Sequence, residues 1–304
     1  MSTESMNENA SAASAECPSC ATVGANTWGM RDGHAILECA SCEMLYYRRP
    51  IESPFEYQEY YPYLSGFDAD RFKWELGIRR GKFNAQLSAI ERLLPDVRIL
   101  VDVGAGPGYF SRVAAERGYT ALAVEPSDAA RRAGTEQFGV EYTKLEELAD
   151  ASVDVIVCHH VLEHIEWPQS FLKTLRDKLR AGGLLVLHVP NQQPLSFLIR
   201  DRVRPDETAT KCAMYYPVHI NGFTARSLVR TVERQNFRAV TTFDVSMWSA
   251  YYDPFFLANF YRDGRSAVSA TRSVLTHAAR CAIDVIGNPI GRGDWVIGYF
   301  RAIE

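Results

Sequence analysis

The sequence predicts an α/β fold: a mostly parallel sheet with helices on both faces, preceded by a small four-cysteine module. Short apolar runs alternate with amphipathic stretches through the middle of the chain, the pattern of repeated β-α units whose strands are buried on both sides. A glycine-rich turn, Gly104-Ala105-Gly106-Pro107-Gly108, lies where one such run gives way to a helix. Two Cys-x2-Cys pairs stand before residue 50. At 304 residues, 47% of them hydrophobic, the chain is long enough for one large core and an appendage.

In order, residues 1–15 are small and polar with no apolar segment, and read as an unordered leader, neither secretory signal nor transit peptide. Residues 16–50 form a compact, turn-rich module. Residues 51–71 are a connector rich in proline and aromatics, in which Tyr57, Tyr60, Tyr61 and Tyr63 either line a ligand pocket or pack between the two parts. Residues 72–304 read as one domain with a helical cap at its C-terminal end. A helix over 72–94 is stopped by Pro95. Strand 98–103 (RILVDV) leads into helix 107–117, with Pro107 in its first turn. Strand 120–124 is followed by helix 127–138, with Ser127 as N-cap. Residues 140–143 and 153–158 (VDVIVC) are the third and fourth strands. Helix 168–180 is expected to close at Gly182-Gly183, ahead of a fifth strand, 184–189. Thr224 opens a helix reaching about Gln235, strands follow at 237–245 and 295–301, and an amphipathic region, 254–286, lies between them.

The formal charge of −4, from 33 basic and 37 acidic residues, demands no polyanionic partner. No apolar run reaches the roughly 18–20 residues of a membrane helix, so a cytoplasmic location is the expectation. The stripe Val268, Thr271, Val274, Leu275, Ala278, Cys281 and Val285 recurs at helical spacing and suits packing on the domain; with Arg272 and Arg280 it also suits a membrane surface. The tract Trp248 to Phe256 suits an aromatic lid or plain core.

Cys17, Cys20, Cys39 and Cys42, with 18 residues between the pairs, match the spacing of a zinc ribbon. Four sulfur ligands leave no open coordination position, so the zinc is structural and supplies much of the module's folding free energy. Cys158, Cys212 and Cys281 read as reduced thiols. Arg31, Arg48 and Arg49 are the only Lys or Arg residues of 16–50, which argues against a nucleic-acid surface.

The glycine turn does not fit a dinucleotide fingerprint, which needs glycine where Tyr109 stands, and it has no Walker lysine. Glu125 ends the second strand, where a carboxylate can accept both hydroxyls of a ribose in the crevice beyond the strand ends. The segments VDVGAGPGYF, AVEPS, VDVIVCHHVLEHI and LRAGGLLVLHVPN look like the successive motifs of class I S-adenosylmethionine methyltransferases, and HINGFTARSL resembles the segment that follows them in the ubiquinone-type O-methyltransferases. The resemblance covers roughly 72–304 and implies a Rossmann-like seven-stranded sheet with a reversed last strand. It also implies S-adenosylmethionine as cofactor. Asp102, Gly104, Ala105, Gly106 and Gly108 would surround the methionine end, with Tyr109 beside them. Glu125 would hold the ribose, Pro126 would lie beside the adenine, and Lys144 and Leu145 would edge it. His159 and His160 would lie near the sulfonium.

Transfer to a hydroxyl calls for a base. His219 is the first candidate, in the loop after the fifth strand, and His160 the second. His164 reads as a packing or orienting residue and His188 as structural. Some ubiquinone-type O-methyltransferases bind a divalent metal through Glu-x-x-Glu-His at this point. Here His160 replaces the first Glu, leaving His160, Glu163 and His164 as candidate ligands. The Asn/Asp-Pro-Pro-aromatic motif of base N-methylation is replaced by Cys158-His159-His160-Val161. The expectation is methylation of a hydroxyl on a small molecule or glycan. The alternatives are sugar C-methylation, RNA methylation and a non-catalytic binding protein.

Overall fold

The computed structural model describes residues 15–31, 33–51, 68–195, 199, 214–245 (backbone alone at 244 and 245), 286 and 292–304. The leader up to residue 14, the connector tyrosines, the tract 248–256, the stripe 268–285, Cys212 and Cys281 lie outside these residues.

Helix α1 (Ala69–Leu93) starts behind Asp68, whose side chain accepts from Arg71 N. Its buried Phe72, Leu76, Phe83, Leu87 and Ile90 fall at helical spacing. Strand β4 (Ile99–Val103) precedes α2 (Tyr109–Glu116), β5 (Thr120–Val124) and α3 (Asp128–Phe138). Ser127 caps α3 as expected, its side chain accepting from Ala130 N. Next come β6 (Glu141–Tyr142), β7 (Val153–His159), α4 (Pro168–Lys178) and β8 (Leu179–Pro190). Helix α5 (Ala225–Glu233), capped by Thr224, and the strands β10 (Phe237–Val245) and β11 (Trp295–Ala302) complete this part.

The seven strands lie in the order β10-β11-β8-β7-β4-β5-β6, with β11 antiparallel to both neighbours. Strand residues alternate between two cores. Leu100, Val155, Val157, Leu184 and Val186 face α1, α2 and α3, while Val101, Ile156, Cys158, Leu185 and Leu187 face α4 and α5. Both faces are buried, which is why these strands read as apolar runs.

Two local expectations fail. Pro107 does not enter α2: the helix begins at Tyr109, because Gly108 takes a left-handed conformation and acts as its N-cap. Gly182-Gly183 does not close α4, which ends at Lys178 and passes directly into a longer β8. Gly182 (φ 74°) instead lies within β8, where its pairing with β7 shifts register.

The N-terminal module holds β1 (Ala25–Arg31), β2 (His34–Cys39) and β3 (Leu45–Tyr47). Its sheet has a fourth strand that sequence order does not suggest. This is β9 (Asn221–Gly222), which pairs antiparallel with β3. The module is also packed on the main domain: Cys17, Cys42, Met44 and Tyr46 join the core that holds Phe223, Leu228 and Val232. Ser19 Oγ donates to Thr231 Oγ1 at 2.8 Å, and Arg230 pairs with Glu43 at 2.7 Å.

Leu87 is fully buried between α1 and the sheet. Leu87→Ala should cost roughly 2–5 kcal/mol in urea unfolding, and a loss under about 1 kcal/mol would contradict this packing.

Candidate functional site

The turn after β4 is built by backbone conformation. Gly104 N and Ala105 N donate to Val124 O at 2.8 and 3.1 Å, folding the turn over the end of β5. Gly104 has φ 73°, and a Cβ there would stand 2.4 Å from Val161 Cγ2; at Gly108 (φ 76°) it would meet Val140 at 2.8 Å. Both backbone sign and space require glycine. Glu125 is buried, and its carboxylate accepts from Gly106 N (2.8 Å) and Ser127 N (2.9 Å). Burial raises its pKa, and those two N–H groups oppose the rise. Asp102 accepts from Ser111 Oγ at 2.9 Å; burial, reinforced by the charge of Glu125, pushes its pKa up to about 7.

A cavity of about 200 Å³ opens beside this turn. Asp102, Gly104, Ala105, Gly106, Tyr109, His159 and His160 line it. Gly108, Glu125, Pro126, Lys144, Leu145 and the candidate base His219 are not among the residues that line it. Gly108 lies under the turn, and Lys144 is exposed at the start of a 3-10 turn, Leu145–Glu147. His159 Nε2 bonds Gln86 Oε1 at 2.7 Å, and burial drives its pKa well down, so the ring is neutral.

The segment after β7 forms a 3-10 turn, Leu162–His164, and it presents a second group. Glu163 is 1% exposed. One carboxylate oxygen lies 3.2 Å from His160 Nδ1 and 3.9 Å from His164 Nε2; the other, Oε2, is buried without a hydrogen-bond partner. Burial alone would raise the Glu163 pKa, yet the bond from His160 and the charges of the three nearby histidines hold it below the ordinary carboxylate value. His164 Nδ1 donates to Val218 O at 2.8 Å, so in the neutral ring the lone pair is on Nε2, 3.9 Å from the carboxylate. His219 packs edge-on against His164, ring centroids 4.8 Å apart. One potential ligand atom from each of Glu163, His164 and His219 lies within 4.8 Å of the others. His160 also packs against Trp295 and against His188, which shares the cavity wall with it, and has a left-handed backbone (φ 56°).

The four cysteines form one cluster. Cys17 Sγ and Cys42 Sγ are 3.6 Å apart, Cys20 Sγ and Cys39 Sγ 3.5 Å. A disulfide would need about 2.05 Å. A tetrahedron of sulfurs about 2.3 Å from a zinc ion has edges of about 3.8 Å, so the donor set fits that metal. Ser41 N and Cys42 N point at Cys39 Sγ (3.4 and 3.5 Å), a knuckle that favours thiolate.

The methyltransferase domain family matches residues 78–242, more than half of the chain. The chain belongs to that family. A ubiquinone biosynthesis O-methyltransferase of Hahella chejuensis is 36% identical over 115 residues, covering 34% of this chain and 48% of that protein. The enzyme of the same description from Ruegeria pomeroyi is 32% identical over 126 residues, covering 38% of this chain and 50% of the relative. The chain thus spans about half the length of these curated relatives. Phosphoethanolamine N-methyltransferase 2 of Haemonchus contortus, solved with S-adenosyl-L-methionine, shares the fold with a TM-score of 0.53 at 13% identity, over 86% of this chain and 63% of that one. Among the described residues, no helix of this protein is long and apolar enough to cross a membrane.

Among the residues of the cavity wall that sequence reasoning missed, three carry ionisable side chains: Arg79, Lys82 and His188. The first two come from α1, where Arg79-Arg80-Gly81-Lys82 interrupts an apolar face, a signal open to a closer reading of the helix. Burial, with Arg79 nearby, pushes the Lys82 pKa down to about 8, and its ammonium sits 4.4 Å from the ring centroid of Trp295. His188, read as structural, is 1% exposed and has both ring nitrogens without a hydrogen-bond partner at the wall. Burial drives its pKa well below the usual value, so it too is neutral.

The folded-state pKa of Asp102 lies above its unfolded value of 3.8, so stability falls as pH rises from about 4 through about 7. Asp102→Asn should therefore be more stable than wild type at about pH 8 and equal to it near pH 4 in denaturant titrations. A difference independent of pH would contradict the assignment.

Proposed function

We propose that this methyltransferase moves a methyl group from S-adenosylmethionine to a hydroxyl of a small molecule or glycan, with a structural zinc in the cysteine module. One observation carries the donor assignment: Glu125 is bonded to Gly106 of the glycine turn at 2.8 Å, beside a cavity whose far wall ends in histidines. The residues present fit the donor. The turn gives a close-approach backbone, Asp102 an acidic group for cationic chemistry, and His188 two ring nitrogens awaiting partners.

When bound, S-adenosylmethionine supplies an electrophilic methyl carbon on a sulfonium. The protein binds, orients and handles a proton. Asp102, once ionised, opposes the positive charge of the donor's amino-acid end, and Glu125, at the end of β5, would hold its ribose. Neutral His159 lines the cavity without adding a repelling charge. His219 takes the acceptor proton, and buried Glu163 stabilises the charge that the imidazoles then carry. A second reading is favoured by the partnerless Oε2 of Glu163 and the orientation of His164: the same trio holds a divalent cation. The hydrogen bond from His164 Nδ1 to Val218 O is the kind of support that fixes a metal-ligating ring. Such a cation would lower the pKa of an acceptor hydroxyl. The acceptor class and the zinc rest on the cluster's chemistry and on the sulfur spacing described above.

Calorimetry should show S-adenosylhomocysteine binding one-to-one, and native mass spectrometry should show one zinc per chain that Cys39→Ser loses. Folded protein that binds no S-adenosylhomocysteine would sink the donor assignment. His219→Ala should cut labelled methyl transfer into cell extract by more than about tenfold while S-adenosylhomocysteine affinity changes less than about twofold. Undiminished transfer would remove His219 from proton handling.

A further inference from the structure

Asn221 stands where the cysteine module meets the Glu163–His164–His219 cluster. It is wholly buried in β9, the two-residue strand that completes the module's sheet, two residues after His219. Its side-chain amide donates to Ile165 O at 2.6 Å and to Leu162 O at 3.2 Å, the carbonyls on either side of Glu163 and His164. Its Oδ1 accepts from Arg49 Nη2 at 2.6 Å. One buried amide thus ties the turn that presents two members of the cluster to a cation of the module.

Arg49 extends the tie. Its Nε donates to Glu166 O at 2.9 Å and its Nη2 also reaches Ile220 O at 3.5 Å. Backbone bonds run alongside: Tyr47 N to Ile220 O at 3.2 Å, and Ile220 N to Glu163 O at 2.9 Å. Strand β3 begins at Leu45, just past Cys42, and Cys39 N donates to Met44 O across that knuckle. The geometry of the sulfur cluster therefore sets the position of β3, β3 sets β9, and β9 carries the chain that holds His219.

We propose that Asn221 is a positioning residue through which the metal-loaded cysteine module holds Glu163, His164 and His219 in register. The module is then part of the apparatus for methyl transfer. The role assigned to the cluster rests on the function proposed above, whereas the mechanical link stands on the hydrogen bonds themselves. Asn221→Asp separates the two halves of the link. It keeps an acceptor for Arg49 but loses both donors to Leu162 O and Ile165 O. Arg49→Lys does the reverse, keeping the charge and losing the planar fork that reaches several carbonyls at once.

The test uses full-length, zinc-loaded protein and records the ring-nitrogen NMR signals of His164 and His219, identified with His164→Asn and His219→Asn. In Asn221→Asp, zinc content should stay at one per chain and S-adenosylhomocysteine affinity within about twofold, while both ring signals move. Chelating the zinc from wild-type protein should move the same two signals. Signals that stay in place in Asn221→Asp, or on chelation, would overturn the proposal. Should Asn221→Asp lose zinc and ligand binding together, Arg49→Lys is read by the same signals with the same two outcomes. Wild-type protein that binds no S-adenosylhomocysteine would end the functional reading, and the ring signals would still decide the link.

Discussion

The strand order of the large sheet reverses between β4 and β7, and the crevice opened there is what the rest of the molecule serves. From β4 the chain runs outward through β5 and β6, then returns to lay β7 on the other side of β4 and continues to β8. Loops leaving the carboxyl ends of β4 and β7 therefore part to opposite faces, and a ligand can reach the backbone between them. The glycine turn leaves from one strand and the histidine turn from the other, and residues of both line the same cavity. Neither turn supplies its own rigidity. Val124 O holds one, and Asn221 with Ile220 holds the other.

Charge is placed in this crevice under a constraint that burial imposes. Two acids, Asp102 and Glu125, lie beneath the glycine turn, and removal from water raises the pKa of both. His159 and His188, deep in the same wall, are kept neutral for the same reason. A cationic ligand would stabilise the ionised acids, so the cost of holding carboxylates there is offset when the site is filled.

Much of the fold was legible because it is written locally. The apolar runs of β4, β5, β7 and β8 and the Ser127 and Thr224 caps report on neighbours within a few residues, whereas the reversed β11 was implied by the family resemblance and by no local signal. The errors were local too, but of geometry: Gly182 looks like a helix stop and is a strand irregularity, and Pro107 looks like a first helical turn and precedes one. Less of the site was legible. The turn residues Asp102 to Gly106 are a contiguous motif, whereas Arg79 and Lys82 reach the cavity from a helix one element earlier, and His188 hides in an apolar strand. The grouping of His219 with Glu163 and His164 joins segments more than 50 residues apart, and no periodicity marks it. The pairing of β3 with β9 is equally silent, since two residues carry too little pattern to announce a strand.

That pairing also bears on how the chain is assembled. The sulfur cluster closes within residues 17–42, but Asn221 and the residues that bury Cys17 and Cys42 belong to the last third of the sequence. On a ribosome the module emerges first and waits, its thiolates able to capture metal long before their covering is translated. A chain that takes up its ion late must insert it beneath a finished roof.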